Sequence, residues 1–254
     1  MKKFTNMRSR FKPTKEQRTT VRAQLARLLQ PAATLELLRA VVPAGFKPAD
    51  VVCSVESVHP DRFVLRAQVR SNGGEERSYA LKAYSDDFAQ RVWTYSQTLA
   101  ANLHLNQDGI CLPTHFVPHE NLLVFPWLDG VFLSKIVDGR KPELLRRAAR
   151  LAARLHRLAI VPEQPTTAQM FVEEARARCE RLRNRWPQTT RLIKPLVAAL
   201  EKASTFLDDD DPAPVHGDMA AGQFLWTGDR LVLLDLDMFG YTDPAYDAGH
   251  FLAQ

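Results

Sequence analysis

Hydrophobic residues near the start of the chain follow the spacing of helices. Over residues 15–29 and 32–41 the pattern of apolar and polar positions predicts two helices. Pro43 and Gly45 end the second helix, because proline and glycine interrupt helical backbone. A region rich in strand-forming residues follows. The chain is therefore expected to begin with helices and to continue as β-structure.

Strand-like patterns on both sides of a turn predict a β-hairpin in the next part of the chain. The two strands are expected over 62–70 and 76–84, and the turn at 71–74 contains an asparagine and two glycines, which accept positive φ angles at little cost. Antiparallel pairing places Lys82, an isolated lysine in an apolar run, opposite the start of the first strand. The loop 59–62 must then lie at the same end of the hairpin as Lys82.

An apolar connector follows the hairpin. A helix is predicted over 87–103, and then an apolar strand over 121–125 runs into Pro126, Trp127 and Leu128. We place the boundary between two lobes at this connector.

The second half of the chain has the pattern of helices. Leucine and alanine residues recur at helical spacing between 144 and 158, which predicts a buried helix face, and two more helices are expected over 167–185 and 189–207. We therefore predict an α+β fold with two lobes. The small lobe, 1–125, contains the β-structure, and the larger lobe, 126–254, is mostly helical.

Composition is consistent with a globular protein and excludes some classes. The 254 residues are 45% apolar and 25% charged, which is enough to bury a core. No apolar run of membrane-spanning length and no signal-peptide pattern is present, so a membrane span is not expected. The three cysteines are few and widely spaced, which indicates a reducing compartment, and we predict a cytoplasmic location.

The net charge of +5 is concentrated at the start of the chain. Residues 1–27 carry nine lysines or arginines against one acid, Glu16. Such an arm could contact nucleic acid, but only Phe4 and Phe11 interleave with the charges as stacking platforms. We favour a solvated arm and do not expect nucleic acid as a partner.

Three polar side chains near the end of the chain are predicted to meet. Residues 223–226 and 231–235 are expected to form two strands joined by a turn, and this pairing would bring Gln223 and Asp235 together at the open end. Asp218 lies five residues before Gln223. Carboxylate and amide oxygens are the ligands that Mg²⁺ prefers, usually together with substrate phosphates. The sequence therefore predicts a site here for a hard divalent cation such as Mg²⁺.

The spacing of these residues resembles that of the kinase-like superfamily. The run His216-Gly217-Asp218, the amide at Gln223 and the later Asp235 are similar to its catalytic and metal segments. Two motifs resemble those of the aminoglycoside phosphotransferase and choline kinase family. They are His-Gly-Asp at 216–218 and Asp-Pro-Ala-Tyr-Asp at 243–247. The resemblance covers most of the chain.

This resemblance implies a protein-kinase-like fold and an ATP-dependent transfer of phosphate to a hydroxyl of a sugar, an aminoglycoside or an amino alcohol. Asp218 would accept or orient the hydroxyl proton, and Lys82 would hold the α- and β-phosphates. Asp235 and Gln223 would bind Mg²⁺. The connector residues Pro126, Trp127 and Leu128 would bind the adenine, and His216 would orient the loop.

The chain departs from the family pattern at several points. Gln223 stands where the family has asparagine, the helix after Lys82 has no glutamate to pair with that lysine, and the phosphate loop lacks its glycines. The chain ends nineteen residues after Asp235, where family members continue with further helices, and this is expected of a short form, of a truncated chain or of a chain with an incomplete acceptor pocket. These departures leave a second hypothesis, a pseudokinase that binds nucleotide or a partner without turnover. The acidic run 208–211 is the only acidic segment suited to a polycationic acceptor.

Overall fold

The structure is a computed structural model, and it describes residues 13–43, 45–102, 108–160, 167–205 and 212–254. Within them the helices are α1 (Lys15–Leu28), α2 (Pro31–Arg39), α3 (Phe88–Asn102), α4 (Lys141–His156), α5 (Ala168–Arg185), α6 (Thr190–Ser204) and α7 (Ala245–Leu252). The strands are β1 (Pro48–His59), β2 (Arg62–Ser71), β3 (Glu76–Tyr84), β4 (Gly109–Ile110), β5 (His115–Val117), β6 (Leu122–Pro126), β7 (Val131–Phe132), β8 (Ala213–Val215), β9 (Phe224–Trp226), β10 (Leu231–Leu233) and β11 (Gly240–Thr242). The part of the basic arm that holds Phe4 and Phe11, and the acidic run 208–211, lie outside the described residues.

The chain divides into two compact units, which we call the strand-rich unit and the helical unit. Among the described residues, the strand-rich unit contains 13–135 and Leu225–Asp235, and the helical unit contains Ile136–Phe224 and Leu236–Gln254. These units differ in extent from the predicted lobes 1–125 and 126–254, and the lobe boundary stays a prediction.

A five-stranded antiparallel sheet, in the order β1-β2-β3-β6-β5, forms the centre of the strand-rich unit. The predicted hairpin is β2 and β3, and its register places Lys82 opposite Val64, near the start of β2. The prediction for this hairpin is therefore confirmed. Strand β1 pairs with β2 through a tight turn, with His59 opposite Arg62.

Helices α1 and α2 cover part of this sheet. Helix α1 begins with a capping box in which Thr14 and Gln17 satisfy each other's backbone N–H groups, and α2 begins with Pro31, whose fixed φ suits a first helical turn. Leu28 and Leu38 are fully buried and belong to the same core cluster as Phe63 of β2. The apolar faces of both helices are therefore buried, as their amphipathic pattern predicts.

A second sheet, in the order β4-β10-β9-β7, contains the strands predicted to pair near the end of the chain. Strands β9 and β10 are neighbours, as predicted, but both are shorter than expected. Gln223 ends a 3₁₀ turn, where its N–H bonds to the carbonyl of Ala220, and β9 begins only at Phe224. Strand β10 ends at Leu233, and Asp235 has a φ of 67°, which a strand cannot accommodate.

The helical unit is built on the leucine stripe of α4. Leu144, Ala148, Leu151 and Leu155 are buried, and α4 contacts strand β8, which pairs with β11. Helix α7 follows this short ribbon, and the Phe251 ring of α7 lies edge-on to the ring of Phe224. This packing places α7 within the unit that also contains the 216–218 loop.

The described helices are either too short or too polar to cross a lipid bilayer. The three cysteines, Cys53, Cys111 and Cys179, are free.

Candidate active site

Lys82 and Asp235 form an ion pair within the strand-rich unit. The lysine lies on β3 between β2 and β6, and its side chain is only 10% exposed. Its Nζ lies 2.8 Å from Oδ1 of Asp235 and 5.6 Å from the centre of the Tyr84 ring. A buried lysine needs a counter-charge, because desolvation disfavours its charged form. Helix α3 contains no carboxylate residue and cannot supply this counter-charge. Asp235 supplies it.

The backbone at Asp235 turns sharply after β10. Its φ of 67° lies in the left-handed region, which residues other than glycine adopt at a cost and which aspartate tolerates better than most. The carboxylate remains 35% exposed while it contacts Lys82. A strained backbone that presents a partly exposed carboxylate is typical of functional sites.

The connector after β6 has one backbone N–H already in use. The N–H of Trp127 donates to the carbonyl of Ser78 at 3.0 Å, which extends the pairing of β3 with β6. Along an extended strand the hydrogen-bonding groups alternate between the two edges. The carbonyl of Pro126, the last residue of β6, is therefore directed to the edge opposite β3.

The indole of Trp127 is held in place by its neighbours. The guanidinium of Arg66 lies over the ring at 4.5 Å from its centre, and the indole N–H donates to Asp129 at 3.0 Å. Gly130 follows, and a side chain there would overlap the carbonyl of Trp226 on β9. These contacts fix the course of the connector.

The loop 216–218 lies in the helical unit and depends on its glycine. Gly217 has a φ of 78°, and a Cβ at this position would overlap the backbone carbonyl of Met238. His216 is fully buried, and its Nδ1 accepts the N–H of Asp218 at 3.3 Å. Only glycine suits the middle position, because it alone avoids both the strain and the overlap. The contact is compatible with the predicted role of His216, which is to orient the loop.

Asp247, on α7, accepts hydrogen bonds from the backbone of the same loop. Its carboxylate is fully buried and accepts the backbone N–H groups of His216 at 2.7 Å and Gly217 at 2.8 Å. The ring of His156, at the end of α4, contacts the same carboxylate at 2.9 Å. The run 243–247 is marked in the sequence by its resemblance to the family, but the sequence connects neither that run nor the histidine of α4 with the loop. Their positions 91 residues apart explain why the contact was missed.

The carboxylate of Asp218 faces a different neighbour with each oxygen. The amide nitrogen of Gln223 donates to Oδ2 at 3.1 Å, and Nε2 of His250 lies 3.6 Å from Oδ1. The side chain is 39% exposed, so the carboxylate is held but accessible. Because a carboxylate can only accept, the nitrogen of the Gln223 amide must face it, which directs the amide oxygen elsewhere.

The donor set is suited to a hard cation held jointly with a ligand. Among the described residues no group of three or more His, Cys, Asp or Glu side chains is arranged to hold a metal ion. Magnesium rarely has such an all-protein site, because it keeps waters and binds one or two carboxylates together with phosphates. The carboxylate of Asp235 and the amide oxygen of Gln223 fit this chemistry. They belong to different units, and their convergence with Asp218 stays a prediction.

Known proteins resemble the chain in family and in fold. A family model described as "Phosphotransferase enzyme family" matches residues 65–254. No curated protein matches the chain at a significant level. The GDP and kanamycin complex of APH(2")-IIia matches with a TM-score of 0.62 and 14% identity over 87% of this chain and 77% of that chain.

Two further solved structures extend the comparison to other acceptors. The macrolide 2'-phosphotransferase MphH from Brachybacterium faecium matches with a TM-score of 0.54 and 20% identity over 85% of this chain and 75% of that chain. The choline kinase LicA from Streptococcus pneumoniae matches with a TM-score of 0.57 and 14% identity over 88% and 74%. At these identities the likeness concerns the fold.

Proposed function

The chain belongs to the phosphotransferase enzyme family and has a kinase-like fold, and on this premise we propose that it transfers the γ-phosphoryl group of ATP to a hydroxyl of a small molecule. The observation that carries the proposal is the setting of Asp218. Its carboxylate is accessible, while the backbone that bears it is anchored by the buried Asp247 and by a glycine that cannot be replaced without overlap. This is how a catalytic carboxylate must be presented, because alignment supplies much of the rate gain in phosphoryl transfer.

In the proposed reaction the acceptor oxygen forms a bond to the γ-phosphorus as the bond from that phosphorus to the bridging oxygen of ADP breaks. The hydroxyl proton passes to the carboxylate of Asp218, and ADP leaves. The transition state is loose, so Asp218 contributes mainly by orienting the hydroxyl and less by its strength as a base.

The strand-rich unit would bind the nucleotide. The carbonyl of Pro126, directed away from β3, would accept a hydrogen bond from the adenine, and Leu128 would offer its N–H to the same ring. The N–H of Trp127 is used by Ser78, so this residue would contribute its position and packing. Lys82 would bind the α- and β-phosphates, and its present contact with Asp235 brings it to the residue proposed to hold the metal.

We assign the metal to Asp235 and Gln223. When bound, Mg²⁺ would neutralise charge on the β- and γ-phosphates. Asp235 would supply a carboxylate oxygen and Gln223 its amide oxygen, which the contact with Asp218 leaves directed away from that carboxylate. The longer glutamine side chain in place of asparagine is thus compatible with a ligand role, because its nitrogen already has a partner.

The acceptor remains a choice among sugars, aminoglycosides and amino alcohols. The named solved structures are a kanamycin complex, a macrolide phosphotransferase and a choline kinase, which supports a small-molecule acceptor. A panel of such alcohols, assayed by coupled release of ADP, identifies the acceptor. We further propose a cytoplasmic location, which the three free cysteines support.

The proposal is tested by exchanging the carboxylate of Asp218 for an amide. Asp218→Asn is expected to lower acceptor-dependent ADP release at least about 100-fold, the contribution typical of a positioned acid or base. Asp229→Asn, the same exchange at the exposed turn between β9 and β10, is the matched control and should retain activity. Circular dichroism checks that both variants are folded. Undiminished activity of Asp218→Asn would refute the assignment of this residue.

The pseudokinase hypothesis gains no support from the comparisons. It predicts that ATP raises the melting temperature with or without Mg²⁺ while no alcohol in the panel stimulates ADP release. Binding that requires Mg²⁺, together with acceptor-dependent release, favours the phosphotransferase.

A further inference from the structure

Two side chains of helix α7 contact the loop 216–219, one as a hydrogen-bond acceptor and the other as a donor. Asp247 accepts the N–H groups at the start of the loop. His250, one turn later on the helix, places its Nδ1 3.0 Å from the carbonyl oxygen of Met219 at the end of the loop. Residues three apart on a helix share a face, so α7 satisfies donors at one end of the loop and an acceptor at the other.

The contact with Met219 determines which ring nitrogen carries a hydrogen. A carbonyl oxygen can only accept, so Nδ1 of His250 must be the donor. The second nitrogen, Nε2, lies 3.6 Å from Oδ1 of Asp218, which is too long for a hydrogen bond, so the ring acts on the loop through Nδ1. With Gln223 donating to Oδ2, both oxygens of Asp218 have a defined neighbour.

The ring of His250 is itself held by a column of aromatic rings. It stacks on Tyr246, one helical turn earlier, with centres 6.2 Å apart. Tyr246 stacks in turn on Phe171 of α5 at 4.6 Å, with the planes 12° apart. Tyr246 therefore contacts both neighbouring rings, which makes these aromatic residues a support for His250.

We propose that His250 is a positioning residue for the phosphoryl transfer. By donating Nδ1–H to the carbonyl of Met219 it fixes the loop directly after Asp218, and so it positions the carboxylate that receives the hydroxyl. This inference rests on the proposed function, because it assigns a role relative to Asp218. It adds a residue that lies 32 positions beyond Asp218 and outside the run 243–247.

Two substitutions separate positioning from packing. In His250→Asn the side-chain amide can reproduce the donor at the position of Nδ1, whereas His250→Leu fills similar space without a donor. Leucine is expected to lower kcat about tenfold, the equivalent of one lost hydrogen bond, with the KM for ATP unchanged within about twofold. Asparagine is expected to keep kcat within about threefold of the wild type.

A purely structural role predicts a different pattern. If His250→Leu has wild-type kcat, or if both variants lose kcat equally, the positioning role is wrong. Urea unfolding of both variants shows whether a loss of activity only follows a loss of folded protein.

A second measurement does not depend on turnover. NMR spectra of the imidazole nitrogens, assigned by the signal that disappears in His250→Asn, should show a hydrogen on Nδ1 of His250. The opposite tautomer would refute the contact on which the inference rests. A wild type that transfers no phosphate but shows this tautomer would instead refute the proposed function and leave the contact standing.

Discussion

Exchange of Asp247 for asparagine tests whether this buried carboxylate holds the candidate catalytic loop. The carboxylate accepts three hydrogen bonds, from the N–H groups of His216 and Gly217 and from the ring of His156. An asparagine has one acceptor oxygen. If that oxygen takes the place of Oδ2, the amide hydrogens face the N–H of Gly217, so one bond to a charged group is lost and a buried donor is left without a partner.

The magnitude follows from these contacts. A hydrogen bond to a charged group contributes about 1.5–3 kcal/mol, and a buried unsatisfied donor costs about 1–3 kcal/mol. Because the two terms overlap, we expect Asp247→Asn to lower the free energy of unfolding by about 3 kcal/mol. The shape of the side chain is unchanged, so the effect does not arise from a cavity.

Urea unfolding followed by circular dichroism measures this loss, and hydrogen exchange of the Gly217 amide reports on the loop directly. Asp243→Asn is the matched control, because this carboxylate accepts the N–H of Ala245 at 2.8 Å in an exposed position. The control should change stability by less than about 1 kcal/mol. If Asp247→Asn unfolds at the urea concentration of the wild type and Gly217 exchanges no faster, the carboxylate does not hold the loop.

Two further predictions concern a glycine and a thiol. Gly217→Ala should lower the free energy of unfolding by at least about 2 kcal/mol, because it combines left-handed strain with an overlap at Met238. The control Gly222→Ala should change the free energy of unfolding little, because the space that the new Cβ would occupy is open. Equal effects of the two substitutions in urea unfolding would contradict this. Burial raises the pKa of the Cys111 thiol to about 12, so at pH 8 the thiolate needed for alkylation is scarce. Mass spectrometry should find Cys111 labelled by iodoacetamide much more slowly in the folded protein than in denaturant, and equal labelling rates would contradict the raised pKa.

Local sequence rules predicted the parts of the fold that depend on local interactions. The hairpin of β2 and β3 follows from its turn residues and its strand-like pattern, and the buried face of α4 follows from the leucine spacing. Strand β1 was not delimited in advance, because most of its side chains are exposed, including Val52, Val55 and Val58, and no apolar alternation marks it. Its position is decided by pairing with β2, which a single segment does not reveal.

In the site, too, residues at local spacing could be predicted and long-range contacts could not. Asp218, Gln223 and Asp235 could be selected because their spacing is local and matches a family pattern. The residues that support the loop could not be assigned in this way, because Asp247 and His250 reach it from α7 and His156 contacts Asp247 from α4. Their signal in the sequence is only a histidine at the end of an amphipathic helix and a polar run near the end of the chain.

Gln223 illustrates how a departure from a family pattern can be compatible with the chemistry. Compared with asparagine, glutamine adds one methylene and therefore a longer reach. In the structure this reach brings the amide nitrogen to Asp218 at 3.1 Å, which orients the carboxylate, and it directs the oxygen away from that carboxylate. One side chain can then orient the proposed catalytic residue with its nitrogen and bind the proposed metal with its oxygen. Glutamate at this position would lose the first interaction, because two carboxylates repel each other, so the site requires the amide as well as the reach of the side chain.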